Sequence, residues 1–231
     1  MNKIFGYIIG IIFLTIAINS VASPINSGFE MGDFTGWTTD NPVGFSEFPP
    51  QERLAGSLNI LSSGWHGRNP NEGSHMLAVS TGEYAYFQTN LTYNIFASQP
   101  VTLYAGDTIQ GSAFFYNGDY EAQDSAWVHI FDGSGTNLLA SPWIEHSGNY
   151  ELGSLRSVPY QGATPWTIWN WTAPTDGTYM LSLGVTTFGD DAFASAGVFD
   201  AINVVSTATV PEPMPVAIFL TAAAFLIRRR K

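Results

Sequence analysis

The fold is decided by residues 126–131, which read Ala-Trp-Val-His-Ile-Phe and run directly into Asp-Gly at 132–133. The segment alternates with a period of two, and in a β-strand this period places successive side chains on opposite faces. Asp-Gly is a turn signal that ends a strand. Upstream, Ala-Phe-Phe-Tyr at 113–116 runs into Asn-Gly at 117–118, the strongest short-range signal for a β-hairpin. Both segments predict β-strands, and the second also predicts a hairpin turn.

Several further segments have the aromatic and β-branched composition of strands. They are residues 84–87, 166–171, 179–185 and 198–205. Turn signals separate them at roughly 8–12 residues, a spacing typical of β-sandwiches. We therefore predict an all-β protein, an antiparallel β-sandwich. Within 166–171, Trp169 and Trp171 should share one face of their strand and Trp166 should lie on the other.

The N-terminal segment has the pattern of a secretory signal peptide. Lys3 precedes an almost wholly apolar run over residues 4–18, and small residues follow at 19–23. We predict a signal peptide over residues 1–22, with a retained N-terminal anchor as the alternative. By length, residues 23–206 then form one β-sandwich domain that is large enough to bury a sizeable core.

The C-terminal segment combines a short Pro/Glu motif, an apolar run and a basic end. The motif is Val210, Pro211, Glu212 and Pro213, and the basic end is Arg228, Arg229, Arg230 and Lys231. The apolar run over 214–227 would form a helix of roughly 21 Å, which is shorter than a bilayer core of about 30 Å. Its cations would stay at the cytoplasmic face. We predict a linker over 207–213 and a hydrophobic helix with a basic tail over 214–231.

This combination closely resembles the PEP-CTERM sorting signal, which bacterial exosortases recognise on exported proteins. The resemblance implies the secretion machinery and an exosortase as partners, and transient insertion of the tail into the membrane. It also implies export through the inner membrane to the cell surface or to an extracellular polysaccharide matrix. An uncleaved C-terminal anchor is the alternative that the residues leave open.

The charge of the region between these segments is strongly negative. Arg53, Arg68 and Arg156 are its only cations among Lys and Arg, whereas residues 23–209 hold 18 of the chain's 19 acidic residues. Their net charge is therefore near −15. Nucleic acids and anionic membrane surfaces are poor partners for such a surface, because phosphate binding requires clustered Lys and Arg. Calcium and neutral glycans remain compatible partners.

The start of the domain carries a second recognisable pattern, with Asn-Ser-Gly-Phe-Glu at 26–30, Gly-Asp-Phe at 32–34 and Gly-Trp at 36–37. It resembles the first strand of galactose-binding-like jelly rolls, the fold of many carbohydrate-binding modules. Later segments fit the same pattern; they are residues 103–109, 174–179 and 198–204. The resemblance implies a jelly roll whose function is to bind carbohydrate.

In that family the first and last strands often share a structural Ca²⁺, and the matching positions here are Glu30 and Asp200. The chemistry is reasonable, because Ca²⁺ takes 6–8 oxygen ligands from carboxylates, carbonyls and waters. Two carboxylates at the ends of strands, with no metal between them, are the alternative.

Exposed aromatic rings would be the natural contacts for a sugar. Trp65 lies in a Gly/Ser/Asn-rich stretch that predicts a surface loop. We therefore expect Trp65 and Trp143 to be ligand-binding candidates, although most of the 7 Trp residues must lie in the core of a single sandwich.

Support for catalysis is weak. The chain has no cysteine, which excludes thiol catalysis and thiolate metal sites. It contains neither a Gly-x-Ser-x-Gly nor a His-Glu-x-x-His motif. We therefore predict a non-enzymatic exported protein with a carbohydrate-binding β-sandwich. A structural or adhesive matrix protein without a small-ligand site is the main alternative, and a glycoside hydrolase is the third.

Overall fold

The computed structural model describes residues 23–41, 53–84, 91–119, 124–147, 157–189 and 193–206. These residues belong to one compact unit, residues 21–208. Within the described residues, no helix is long and apolar enough to cross a bilayer. The predicted signal peptide, linker and tail helix lie outside the described residues.

The described chain forms two packed β-sheets, as predicted. The strands are β1 Thr38–Asp40, β2 Arg53–Leu61, β3 Met76–Tyr84, β4 Leu91–Leu103, β5 Thr108–Tyr116, β6 Ser125–Phe131, β7 Leu138–Ser147, β8 Ser157–Val158, β9 Thr167–Thr172, β10 Gly177–Gly189 and β11 Ala196–Val205. Sheet A has the order β1-β4-β10-β6-β7-β8, and sheet B has the order β2-β3-β11-β5-β9. Neighbouring strands are antiparallel, except for the short parallel pair β7–β8.

The main hydrophobic core lies between the two sheets. Ala126, Val128 and Ile130 contribute to it from β6, at most 1% exposed. Sheet B contributes Trp169 from β9 and Phe199 from β11, which are equally buried. Burial of this apolar area is the main favourable contribution to folding.

The alternation of β9 is confirmed. Trp169 is buried in the main core and Trp171 packs against it, so both face sheet A. Trp166 belongs instead to a smaller apolar cluster around Phe114. This cluster lies on the outer face of sheet B, because neighbouring Ala113 and Phe115 point into the main core.

The prediction of a hairpin at Asn117-Gly118 is wrong. The strand before it, β5, belongs to sheet B, whereas the next strand, β6, belongs to sheet A, so the chain crosses between the sheets here. The buried amide of Asn117 donates to the carbonyl of Val158 (2.8 Å) and accepts from the backbone of Asp119 (2.9 Å). The side chain of Asn117, a residue that favours tight turns, is therefore engaged in a tertiary hydrogen bond. The turn at Asp132-Gly133 is confirmed, since it ends β6 and leads to the antiparallel partner β7.

Candidate functional site

The outer face of sheet A carries a cavity of about 300 Å³. It is lined from three adjacent strands, β4, β10 and β6, and from the turn after β6. Residues 126, 128 and 130 of β6 point into the core, so Trp127, His129 and Phe131 point outward. The cavity is therefore a groove on the sheet surface, on the side away from the core.

One wall of this groove is aromatic. The ring centroids of Trp127 and His129 lie 4.1 Å apart at an interplanar angle of 11°, which is a stacked arrangement. Phe131 meets His129 edge to face at 5.9 Å, and Phe96 lies across the groove at 6.2 Å from Trp127. Contacts between rings add to the stability gained by burial, so the wall is held in place before any ligand arrives.

The other wall, on β4 and β10, carries polar side chains beside Phe96 and Met180. Ser182 on β10 is paired in register with Ser98 on β4 and with His129 on β6. Asn94 lies four residues before Ser98 and therefore on the same face. Within the described residues, neither the hydroxyls of Ser98 and Ser182 nor the amide N–H groups of Asn94 have a hydrogen-bond partner. Ser182 is only 3% exposed, so its hydroxyl lies at the base of the groove with bonding capacity left unused by the protein.

Thr186 couples the two walls. The indole N–H of Trp127 donates to Thr186 Oγ1 (2.9 Å), and the same hydroxyl donates to Asn94 Oδ1 (2.6 Å). Because the oxygen of Asn94 is engaged by Thr186, its NH₂ group remains available as a donor. The network therefore fixes both the aromatic ring and the orientation of the amide.

Gly184 lies beneath the ring of Trp127. A Cβ at this position would lie 2.7 Å from the Trp127 ring and 2.7 Å from the carbonyl oxygen of Ile95. Such distances are too short for any side chain, so only glycine allows the indole to lie against the sheet here. This position explains how a tryptophan on the outer face can be only 5% exposed.

The groove is electrically neutral. None of the described residues that line it carries a carboxylate, an ammonium or a guanidinium group. Burial lowers the pKa of His129 to about 4, so its imidazole is uncharged at neutral pH. The site can therefore offer hydrogen bonds and apolar contact, without an ion pair.

No family model matches this chain. Likewise, no curated protein matches it at a significant level. Solved structures similar to it include TmCBM61 in complex with β-1,4-galactotriose, with 15% identity, 78% of this chain and 94% of that chain covered, and a TM-score of 0.39. A second is a structure of carbohydrate-binding modules from the β-sandwich superfamily, with 14% identity, 78% and 60% coverage, and a TM-score of 0.43. A third is the K1 cleaved adhesin domain of Lys-gingipain from Porphyromonas gingivalis W83, with 13% identity, 82% and 99% coverage, and a TM-score of 0.44. At these scores the comparisons carry no functional argument for this chain.

The structure brings Glu30 and Asp200 towards each other. A Cβ at Gly28 would lie 4.0 Å from Glu30 Oε1 and 3.9 Å from Asp200 Oδ1, so both carboxylates approach this one position. A bulge in β11 follows Asp200, and Ala201 within it has a left-handed φ of 56°. Within the described residues, no group of three or more His, Cys, Asp or Glu residues could hold a metal ion.

Backbone donors from the loop before β3 hold both carboxylates. Asp200 Oδ2 accepts from the N–H groups of Asn71 (2.6 Å) and Glu72 (3.0 Å). Glu30 accepts from the N–H groups of Ser74 (2.9 Å to Oε2) and His75 (3.0 Å to Oε1). A cation at this position would share the carboxylate oxygens with these N–H donors and with that of Ala201, which donates to Asp200 Oδ1 (2.6 Å). Carbonyls or water would supply further ligands.

The pKa values of the two carboxyl groups shift in opposite directions. Burial raises the pKa of Asp200 to about 6, the charge of Glu30 adds to the rise, and hydrogen bonds from the loop oppose it. Desolvation also tends to raise the pKa of Glu30, but the hydrogen bonds from Ser74 and His75 together hold it below its ordinary value. At neutral pH two negative charges therefore face each other, and a cation would relieve their repulsion.

The two tryptophans predicted to bind a ligand lie outside the groove. Trp143 is 6% exposed and meets Phe199 edge to face at 5.9 Å in the main core, so its ring is a packing group and is not available to a ligand. Trp65 is half-buried on the outer face of sheet B, where its ring lies 5.6 Å from that of Tyr116. The sorting-motif residues 210–213 and 228–230 lie outside the described residues.

Sequence reasoning missed the groove itself. The signal was present in β6, where the aromatic residues occupy one face and the aliphatic residues occupy the other. An outward row of aromatic side chains on a strand indicates a binding surface. Phe96 and Ser182 had no comparable signal, because only sheet pairing brings them next to β6.

Proposed function

We propose that this protein binds carbohydrate through the groove on sheet A. The supporting observation is the pairing of an aromatic wall with a wall where the hydroxyls of Ser98 and Ser182 and the amide N–H groups of Asn94 have no hydrogen-bond partner among the described residues. A sugar ring is amphipathic in the same sense, since its C–H faces are apolar and its hydroxyls donate and accept hydrogen bonds. Pockets that are largely apolar and carry a few fixed polar groups are typical of ligand sites.

We further propose that the protein has no catalytic activity of its own. Glycoside hydrolysis commonly requires two carboxyl groups on either side of the scissile bond. The described lining of the groove has none, which supports binding without turnover. The patterns at both ends of the sequence support export and exosortase processing, with the domain acting at the cell surface or in an extracellular matrix.

The test is binding of oligosaccharides to the purified unit 21–208, with Phe131→Ala beside the parent. Phe131 forms the end of the aromatic wall and is half-buried, so its loss should weaken binding by about tenfold while leaving the fold intact. Titration calorimetry with hits from a glycan array gives the affinity.

The matched control is Ile168→Ala on the outer face of sheet B, where the side chain is 75% exposed. This change should leave the affinity unchanged. If no glycan binds the parent, or if Phe131→Ala binds as tightly as the parent, the structural or adhesive alternative becomes the better description.

We also propose that Ca²⁺ binds between Glu30 and Asp200. Because loop N–H groups compete for the same oxygens, we expect an affinity of about 10⁻⁴–10⁻³ M, as in extracellular calcium modules. The support comes from the approach of the two carboxylates and from the raised pKa of Asp200.

Calcium should therefore raise the melting temperature in a pH-dependent way. The folded-state pKa of Asp200 is raised to about 6 from 3.8, so the stability that its proton provides is lost as the pH rises through this window. Calcium has to displace that proton, and its stabilising effect should be larger at pH 7.5 than at pH 5. Thermal melting at about 5 mM CaCl₂ and in EDTA measures it.

The control variants for calcium are Asp200→Asn and Glu30→Gln, which keep the shape of each side chain and remove its charge. Both should abolish the calcium-dependent rise. An equal rise in parent and variants would place any bound calcium elsewhere.

A further inference from the structure

We propose that the groove accepts uncharged glycans and rejects those whose sugars carry carboxylates, such as uronic acid chains. This inference rests on the proposed carbohydrate-binding function and defines the class of ligand. It follows from three features of the site, namely the neutrality of its lining, the depth of its polar wall and the charge of the surrounding domain.

The first feature is the absence of a counter-ion among the described residues that line the groove. The polar groups that face the groove are an amide at Asn94, hydroxyls at Ser98 and Ser182, and the imidazole of His129. Recognition of a carboxylate is strongest when a guanidinium or ammonium pairs with it, and the lining offers neither group. The imidazole does not replace them, because burial keeps it neutral at neutral pH.

The second feature is the depth of the polar wall. Ser182 is 3% exposed and lies at the centre of sheet A, between Ser98 and His129. A sugar hydroxyl at this depth would exchange hydrogen bonds with water for hydrogen bonds with the serine. A carboxylate at the same depth would lose its hydration without a cation to compensate, which is far more costly.

The third feature is the field of the domain. Residues 23–209 have a net charge near −15, which repels a polyanion at long range. The guanidinium of Arg68 does not offset this at the groove, because it lies 5.3 Å over the ring of Phe114, on the outer face of sheet B. Long-range repulsion and local desolvation therefore act in the same direction.

The test uses pairs of glycans that differ only in charge. Cello-oligosaccharides and their C6-oxidised counterparts share one backbone and differ in CH₂OH or COO⁻; β-1,4-mannan and mannuronan oligosaccharides form a second pair. We expect the neutral member of a pair to bind about 100-fold more tightly to unit 21–208. The preference should largely persist at 1 M NaCl, because salt screens exposed charges much more than buried ones.

A gain-of-function variant tests the local cause. Ser98→Lys places a cation in the groove and should bring the affinity for the oxidised member at least tenfold closer to that for the neutral member. Thr102→Lys adds the same charge to the same face of β4, outside the groove lining, and should change the ratio little. If the ratio of the neutral to the oxidised affinity changes in Ser98→Lys and not in Thr102→Lys, the cause is the cation in the groove and not the net charge of the domain.

Three outcomes would overturn the proposal, and one of them also overturns the proposed function. Equal or tighter binding of the oxidised member contradicts the inference alone. So does a preference that vanishes at 1 M NaCl, since it would then arise only from the long-range field. If no neutral or oxidised glycan binds, carbohydrate binding by the groove is itself refuted.

Discussion

Replacing Trp127 by alanine is expected to weaken glycan binding by about 30- to 1000-fold, the effect of losing a hot-spot aromatic residue. The indole lines the groove and supports the stacked ring of His129 at 4.1 Å. Its N–H group also holds the Thr186 hydroxyl that orients Asn94. A single substitution therefore disrupts both walls of the groove.

The measurement for Trp127→Ala is titration calorimetry with the best-binding neutral oligosaccharide, after circular dichroism has shown that the variant is folded. Trp166→Ala is the matched control, because Trp166 is half-buried on the outer face of sheet B, away from the groove. It should bind as the parent does. Trp127→Phe should bind with intermediate affinity, since it keeps an apolar ring and loses the N–H donor. Parent-like affinity of Trp127→Ala would exclude this groove as the binding site.

Replacing Phe199 by alanine is expected to lower the free energy of unfolding by about 3–5 kcal/mol, which is the typical cost of deleting a buried phenylalanine ring. Phe199 is 0% exposed at the centre of β11, and its ring meets Trp143 edge to face at 5.9 Å. It joins sheet B to β7 of sheet A. The cavity left by alanine would remove contacts on both sides of the core.

Urea denaturation of the parent and Phe199→Ala measures this loss directly. Ile168→Ala is the control, because Ile168 is 75% exposed and surface substitutions usually change stability by about 0.5 kcal/mol or less. A loss below about 1 kcal/mol in Phe199→Ala would mean that the two sheets are not held together as the structure shows. The expected loss of about 3–5 kcal/mol would be a large share of the stability of an ordinary domain, which is about 5–15 kcal/mol.

Local periodicity predicted β5, β6, β9, β10 and β11, whereas β2, β4 and β7 were not predicted. The opposite placement of Trp169 and Trp166 followed directly from their spacing, because side chains on a strand alternate whatever the strand packs against. The end of β6 at Asp132-Gly133 could also be predicted from local sequence, since the turn joins two neighbouring strands. By contrast, Asn117-Gly118 has the same kind of turn residues but lies where the chain crosses from sheet B to sheet A. A tertiary hydrogen bond to Val158 decides its conformation, and no short window of sequence contains that partner.

The burial of individual tryptophans was a second feature that the sequence did not predict. Trp65 and Trp143 are the same residue type and were both candidates for ligand contact, yet one is half-buried on an outer face and the other lies in the core. Their exposure depends on which strand lies opposite each ring. That information is distributed over the whole chain.

The sequence by itself determined the β-class, the alternation of β6 and β9 and the negative charge of the domain, because each of these depends on neighbouring residues or on composition. The tertiary structure decided where the groove lies. Asn94, Trp127 and Ser182 come from three strands that are distant along the chain, and only antiparallel pairing of β10 with both β4 and β6 brings them together. Gly184 shows the same division, since the need for glycine there depends on the ring of Trp127 placed over it by that pairing.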